Sequence, residues 1–323
     1  MSSELPPITG AVVAYDKYST PHYQALLAAS GKQGEAPVEN QDYGLWVPNS
    51  GLVLADGVGG RVGGAIASRV VVGSTLRYAK STRFREMPAD EAVEALGEFI
   101  LPWTDLDLAI EKEELAKGKS NEERDELFET SSTIGGLLLA RDHVIGFGAG
   151  DTPVHRHDSA SGQLTQITEE QHIYIEGRGS MLTNYMAGFK YLAEDVTVSV
   201  KPGRRDAYAG MPQVRDQVVA IPICPGDRYL VASDGLHGDR LDQHIPHDVL
   251  QKNLLIHDEA KKSARHFAQL PLTLWYEGYE IELSPNEKLP YLFKQWDDLI
   301  AGTMFIGAAD PEATQKIVID LAS

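Results

Sequence analysis

Five aspartates at four places in this chain share one setting: an apolar run either ends at them or begins shortly after them. Asp56 follows Leu52-Val53-Leu54-Ala55, and Asp151 follows the run from Val144 to Gly150. Asp234 follows Tyr229-Leu230-Val231-Ala232-Ser233 and precedes Gly235, while Asp297 and Asp298 stand shortly before the run at 304–308. A single strand-end Asp is ordinary turn chemistry. Repetition at several strand ends suggests carboxylates converging on one site. Ligands made only of oxygen favour magnesium or manganese over zinc or copper. Two such ions sharing a carboxylate lower the pKa of a water between them and stabilise both oxygens of an in-line displacement.

The stretch behind Asp56 adds a second donor type. Gly57, Gly59, Gly60, Gly63 and Gly64 leave the backbone bare. Glycine permits sharp turns and close approach to a ligand. A carboxylate oxygen and a peptide carbonyl can then bind the same hard cation.

The elements that must position these groups alternate in kind. Ile8 to Tyr15 reads as a strand, and residues 42–47 and 52–55 form a hairpin pattern around Pro48 to Gly51. From Ala65 to about Phe128 the period becomes helical, with segments over Ala65–Tyr78, Ala89–Leu101 (stopping before Pro102) and Leu106–Ala116. The acidic run from Glu111 to Glu129 reads as a solvated helix face and loop. Strand patterning returns over 134–140, 144–147, 153–157, 163–167, 218–223 and 228–232. His247 to Gln269 reads as one helix, and 304–308 with 317–321 close or flank the sheet. Residues 16–38, 173–216 (irregular, a flap) and 236–296 read as insertions within a single domain spanning 1–323.

Composition narrows the class. With 42% hydrophobic residues over 323, the chain can bury a sizeable core. The formal net charge of −18 repels nucleic acid and anionic lipid. Cys224 is the only cysteine, so no internal disulfide forms, which fits a reducing compartment. The start of the chain lacks a basic stretch followed by an apolar one, and no apolar run approaches the roughly 18 residues of a membrane span. These features predict a cytoplasmic protein with no membrane or nucleic-acid partner.

The chain resembles the metal-dependent protein Ser/Thr phosphatases of type 2C, in their bacterial form. Asn40-Gln41-Asp42 is similar to the family's Asn-Glu-Asp. Asp56-Gly57-Val58-Gly59-Gly60, followed by Gly63-Gly64 and Ala67-Ser68, is similar to its Asp-Gly-x-Gly-Gly signature. Ser131-Ser132-Thr133, Gly150-Asp151-Thr152, the stretch from Leu164 to His172, Pro225-Gly226-Asp227 and Ser233-Asp234-Gly235-Leu236 follow in family order. The resemblance covers about residues 8 to 308.

That resemblance implies an α+β fold with two central antiparallel β-sheets flanked by helices, a four-layer α-β-β-α sandwich. It implies that Asp56 bridges two Mg or Mn ions, that the Gly57 carbonyl binds the first, and that Asp234 and Asp297 bind the second. Asp151 helps hold a third, weaker ion. Asp42 orients water, and a metal-bridging hydroxide attacks the phosphomonoester of phosphoserine or phosphothreonine in a protein substrate, with no phosphoenzyme. Four departures stand out: Gln41 replaces the family's Glu, Pro37 its phosphate-binding Arg, Arg61 the His after Gly-Gly, and Asp298 and Ile300 the Asn and Thr of the last motif. Arg61 carries a guanidinium that stays protonated, so it is expected to clamp phosphate instead. The alternative reading is a weakly catalytic relative that binds phosphoproteins or regulatory partners.

Other phosphate chemistries fail on spacing. Gly118-Lys119-Ser120 ends like a P-loop but has Glu113 where the motif needs Gly. Cys224 has Leu230 where a cysteine phosphatase needs Arg, and reads as a buried structural thiol. Asp105-Leu106-Asp107 lies in a helical stretch rather than at a strand end. His155 and His157 read as exposed strand positions, and His237, His244 and His247 as surface loop residues near the site.

Overall fold

The computed structural model describes residues 6–15, 40–58, 62–128, 130–170, 172–175, 179–182, 186–187, 217–236, 245–284, 287–290, 298–307 and 318–319. The chain opens with β1 (Ile8–Tyr15), β2 (Tyr43–Val47), β3 (Gly51–Ala55) and a short β4 (Gly57–Val58). Helices α1 (Val62–Ser81), α2 (Ala89–Ala95), α3 (Leu101–Ala116) and α4 (Asn121–Phe128) follow. Then come β5 (Ser131–Ser132), β6 (Ile134–Leu139), β7 (His143–Ala149), β8 (Val154–Asp158), β9 (Gln163–Gln166), β10 (His172–Ile175) and β11 (Gly179–Leu182). β12 (Val219–Pro222) and β13 (Arg228–Ala232) precede helices α5 (His247–Leu255) and α6 (Ala260–Tyr276). The hairpin β14 (Glu280–Ser284) and β15 (Glu287–Pro290), then β16 (Leu299–Ile306) and β17 (Val318–Ile319), complete the order.

Two large sheets result, in the orders β17-β1-β16-β13-β8-β9 and β12-β7-β6-β3-β2. Apart from the parallel β1–β17 contact, their strand pairs are antiparallel. The central strands β3, β6, β7, β13 and β16 read as near-continuous apolar runs because both faces are covered. Successive side chains point to opposite faces, and the packing follows that alternation. Leu52 and Leu54 of β3 meet Tyr229 and Val231 of β13 and Ile300 and Met304 of β16 between the sheets. Val53 and Ala55 face the other way, onto α1 to α3, among Val71, Leu96 and Leu108. On the far side, Leu230, Ala232 and Phe305 pack on α5 and α6 through Leu254, Ala264 and Phe267. Three buried clusters therefore separate four layers, α-β-β-α, as the resemblance implied.

Several local expectations are corrected. The helix over 89–101 does not stop before Pro102. A π turn, Leu96–Ile100, joins α2 to α3, and Pro102 sits in the first turn of α3. Proline lacks an N–H and crowds the carbonyl four residues back, and the wider turn accommodates it. The single helix expected over 247–269 is two, because the chain bends between Leu255 and Ala260. Within 173–216, expected to be irregular, β10 and β11 pair as a hairpin, His172↔Leu182 through Ile175↔Gly179. The last long strand begins at Leu299 rather than 304, placing Asp298 directly at its start. The insertion expected over 16–38 lies outside the described residues. Among the described residues, no helix is long and apolar enough to cross a membrane.

Candidate active site

The register brings one end of each sheet to the same place. In one sheet, Tyr43 pairs with Ala55 and Ile134 with Ala149, so Asp42, Asp56, Thr133 and Asp151 leave their strands together. In the other, Ala232 pairs with Ala301 and Tyr15 with Leu299, so Ser233-Asp234 and Asp298 stand at the same end.

The segment Asn40-Gln41-Asp42 joins these two groups. The Gln41 N–H donates to Asp298 Oδ2 at 3.0 Å, and the Gln41 carbonyl accepts from Gly57 N–H at 3.2 Å. Asp42 N–H donates to Asn40 Oδ1 at 2.8 Å. Asp42 Oδ2 accepts from the Ser233 hydroxyl at 2.8 Å, and that hydroxyl accepts from Ile300 N–H at 3.1 Å. Asp42 and Asp298 are buried, while Asp56, Asp151 and Asp234 are half-buried.

Asp56 is fixed through its main chain. Its N–H donates to Thr133 Oγ1 at 3.0 Å. Its carbonyl accepts from Thr133 N–H at 2.8 Å and from the Ser132 hydroxyl at 2.9 Å. Thr133 Oγ1 also lies 2.6 Å from Thr152 Oγ1, which couples Asp56 to the residue after Asp151. The bare backbone behind Asp56 has a steric reason. A Cβ on Gly57 would stand 2.2 Å from the Gly64 carbonyl oxygen, and one on Gly64 would stand 2.7 Å from the Gly57 carbonyl oxygen. The first turns of α1 therefore lie directly on β4. Gly235 plays the same part at the other sheet, where a Cβ would stand 2.1 Å from the Asp298 carbonyl oxygen.

Of the residues singled out in the sequence, Asp42, Asp56, Gly57, Asp151 and Asp234 thus fall at one end of the sandwich; Arg61, Asp297 and Pro37 lie outside the described residues. Among the described residues, no three His, Cys, Asp or Glu side chains form a ready-made metal-ligand group. The donor chemistry nonetheless fits hard divalent ions: every described candidate is a carboxylate or a peptide carbonyl. No side chain on Gly64 covers the carbonyl of Gly57.

Sequence reasoning quoted Thr133, Thr152 and Ser233 inside motifs but gave none of them a task; all three hold the aspartates in place. Other readings are corrected. His155 and His157 are buried because β8 is an interior strand of its sheet, and His155 packs edge-on against His247 of α5 at 5.5 Å. His247 opens α5 rather than lying in a loop, and His237 and His244 lie outside the described residues. Cys224 is half-buried rather than buried, in the connection between β12 and β13.

No family model matches the chain, and no curated protein matches it by sequence. Solved structures do match. PppA of Pseudomonas aeruginosa, described as a key regulatory component of T6SS, superposes with a TM-score of 0.56 at 18% identity, over 94% of this chain and 99% of its own. The Mycobacterium tuberculosis serine/threonine phosphatase PstP/Ppp gives 0.58 at 16% identity, over 93% and 98%. The catalytic domain of PstP in complex with two manganese ions gives 0.55 at 17% identity, over 93% and 98%. This chain has the fold of the bacterial PPM-type Ser/Thr phosphatases. At these identities the likeness is one of fold. These structures match 94% and 93% of the chain.

Proposed function

We propose that this chain is a metal-dependent protein serine/threonine phosphatase that hydrolyses phosphoserine or phosphothreonine in a protein substrate. The observation that carries this reading is the hydrogen-bonded junction at Asn40-Gln41-Asp42, which gathers Gly57, Ser233 and Asp298 at one end of a PPM-type fold. The PstP structure with two manganese ions supports the metal choice.

In this reading Asp56 and the Gly57 carbonyl hold the first Mg or Mn ion. Asp56, Asp234 and Asp297 hold the second, and Asp151 helps hold a third. Asp297 is assigned as the ligand of that pair because it holds the first position of the family's last motif, while Asp298 Oδ2 accepts the Gln41 N–H. Two divalent ions so held supply a water ionised at neutral pH and neutralise phosphate charge. Asp42, held by Ser233, orients the attacking water. Arg61 binds the phosphate oxygens, a task suited to a planar, permanently charged fork. The neutral amide of Gln41 stands where the family carries a Glu. The protein acts on a phosphoprotein and not on nucleic acid, and works in the cytoplasm.

The test is hydrolysis of an aryl phosphate and a phosphothreonine peptide with manganese, with magnesium and with a chelator, beside Asp56→Ala. Metal-dependent turnover lost in the variant is the expected result. Metal binding without turnover on either substrate would favour a phosphoprotein-binding module instead, and absence of metal binding would overturn the aspartate assignment.

A further inference from the structure

Lysine is almost never fully buried unless its charge is answered. Lys112 of α3 is 1% exposed. Its ammonium donates to the Thr130 carbonyl and, at 2.9 Å, to the Ala187 carbonyl. Asp105, also buried and on the same helix, is a charge facing it. The two carbonyls belong to segments far apart in the chain. Thr130 immediately precedes β5. Ala187 immediately follows Met186, which exchanges both backbone hydrogen bonds with Ser132, at 2.9 and 2.8 Å.

Ser132 is the middle rung of a short ladder. On its other side it pairs with Gly57, and its hydroxyl donates to the Asp56 carbonyl. The rungs Gly57, Ser132 and Met186 therefore run from the strand end that carries Asp56 to the segment leaving the β10–β11 hairpin. The Lys112 ammonium joins the start of the middle strand, at Thr130, to the outer segment at Ala187. One ammonium has three donors and can hold carbonyls from two strands at once, which an apolar side chain of the same length cannot do.

We propose that Lys112 is a positioning residue of the active site, its ammonium setting the spacing between the β4–β5 ledge that backs Asp56 and Gly57 and the root of the β10–β11 hairpin. The catalytic consequence rests on the phosphatase reading; the positioning itself does not.

The experiment compares wild type with Lys112→Met, Lys112→Gln and Lys112→Arg. It reads amide hydrogen exchange residue by residue, manganese affinity by calorimetry, and kcat/KM on a phosphothreonine peptide. In Lys112→Met, exchange at Ser132 and Met186 is expected to quicken about tenfold or more while amides of β6 and β16 keep their protection. Manganese binding is expected to weaken about tenfold, and Lys112→Arg to recover part of both. Lys112→Gln, which keeps an amide donor without the charge, serves if Lys112→Met does not fold. Unchanged exchange at Ser132 and Met186, or equal loss of protection in β6 and β16, would overturn the inference. A wild type without turnover, whose local exchange still responds to Lys112→Met, would refute the phosphatase reading and leave the positioning role standing.

Discussion

The Ser233 hydroxyl donates to Asp42 Oδ2 at 2.8 Å, across 191 residues of sequence. The same oxygen accepts the Ile300 N–H at 3.1 Å, so one side chain pins the segment before β2 to the ends of β13 and β16. Ser233 is fully buried and Asp42 nearly so, and a carboxylate taken out of water needs such donors. Ser233→Ala is expected to lower stability by about 1–3 kcal/mol. The measurement is a denaturant midpoint that falls with an unchanged slope. Manganese-dependent turnover should fall with it.

Asp297 and Asp298 are separable by experiment. Asparagine at 298 still offers an oxygen to the Gln41 amide, whereas asparagine at 297 removes a ligand charge. Asp297→Asn is expected to weaken manganese binding by more than about tenfold, and Asp298→Asn by much less. Calorimetric titration of both variants decides; a larger loss in Asp298→Asn would reassign the ligand.

Gly64 has no room for a side chain, since a Cβ there would stand 2.7 Å from the Gly57 carbonyl oxygen and 3.1 Å from the Gln41 Cδ. Gly64→Ala is expected to push α1 off β4 at a cost of about 1–3 kcal/mol. It should also weaken manganese binding, because the displaced carbonyl is the one assigned to the first ion. Gly73→Ala is the control: nothing lies within 4 Å of its Cβ, and alanine favours the helix by about 1 kcal/mol. Thermal unfolding of the two variants should move in opposite directions.

Burial pushes the Lys112 ammonium down from 10.5 to about 8. Below that value folded and unfolded chains both carry the proton. Between it and 10.5 the unfolded chain holds more protons, so this group's contribution to stability rises with pH across the window. Buried tyrosines such as Tyr229, raised chiefly by burial, contribute the opposite slope at the alkaline end. The informative quantity is therefore wild type minus Lys112→Met, measured by urea unfolding from about pH 7 to about pH 10. That difference should climb with pH; a flat difference would mean the ammonium is not desolvated.

Arg61→Ala is expected to raise KM for a phosphothreonine peptide by roughly tenfold or more, the scale of a lost charge-assisted hydrogen bond. Arg61→Lys should recover only part, because lysine lacks the planar fork. An unchanged KM in steady-state kinetics would remove Arg61 from the phosphate site.

The sequence by itself determined an α+β chain and where the aspartates enter, while the four layers came with the family resemblance. The apolar runs of β1, β3 and β13 and the helical period of α1 are local patterns, so the elements themselves can be read from the chain. Asp56, Asp151 and Asp234 at strand ends were legible for the same reason: a strand's end is marked in the chain where its apolar run stops. What the tertiary structure alone decided are relationships between distant segments. That Ser233 answers Asp42, that Asp298 rather than a turn residue receives the Gln41 amide, and that His155 packs on His247 of α5 all depend on how the sheets and helices meet. Lys112 is the sharpest case. It lies in the run from Glu111 to Glu129, whose charges read as a solvated face, and most of that run is exposed. Only the fold turns this one ammonium inward, because the carbonyls that answer its charge come from Thr130 and Ala187, and no local pattern in α3 announces them.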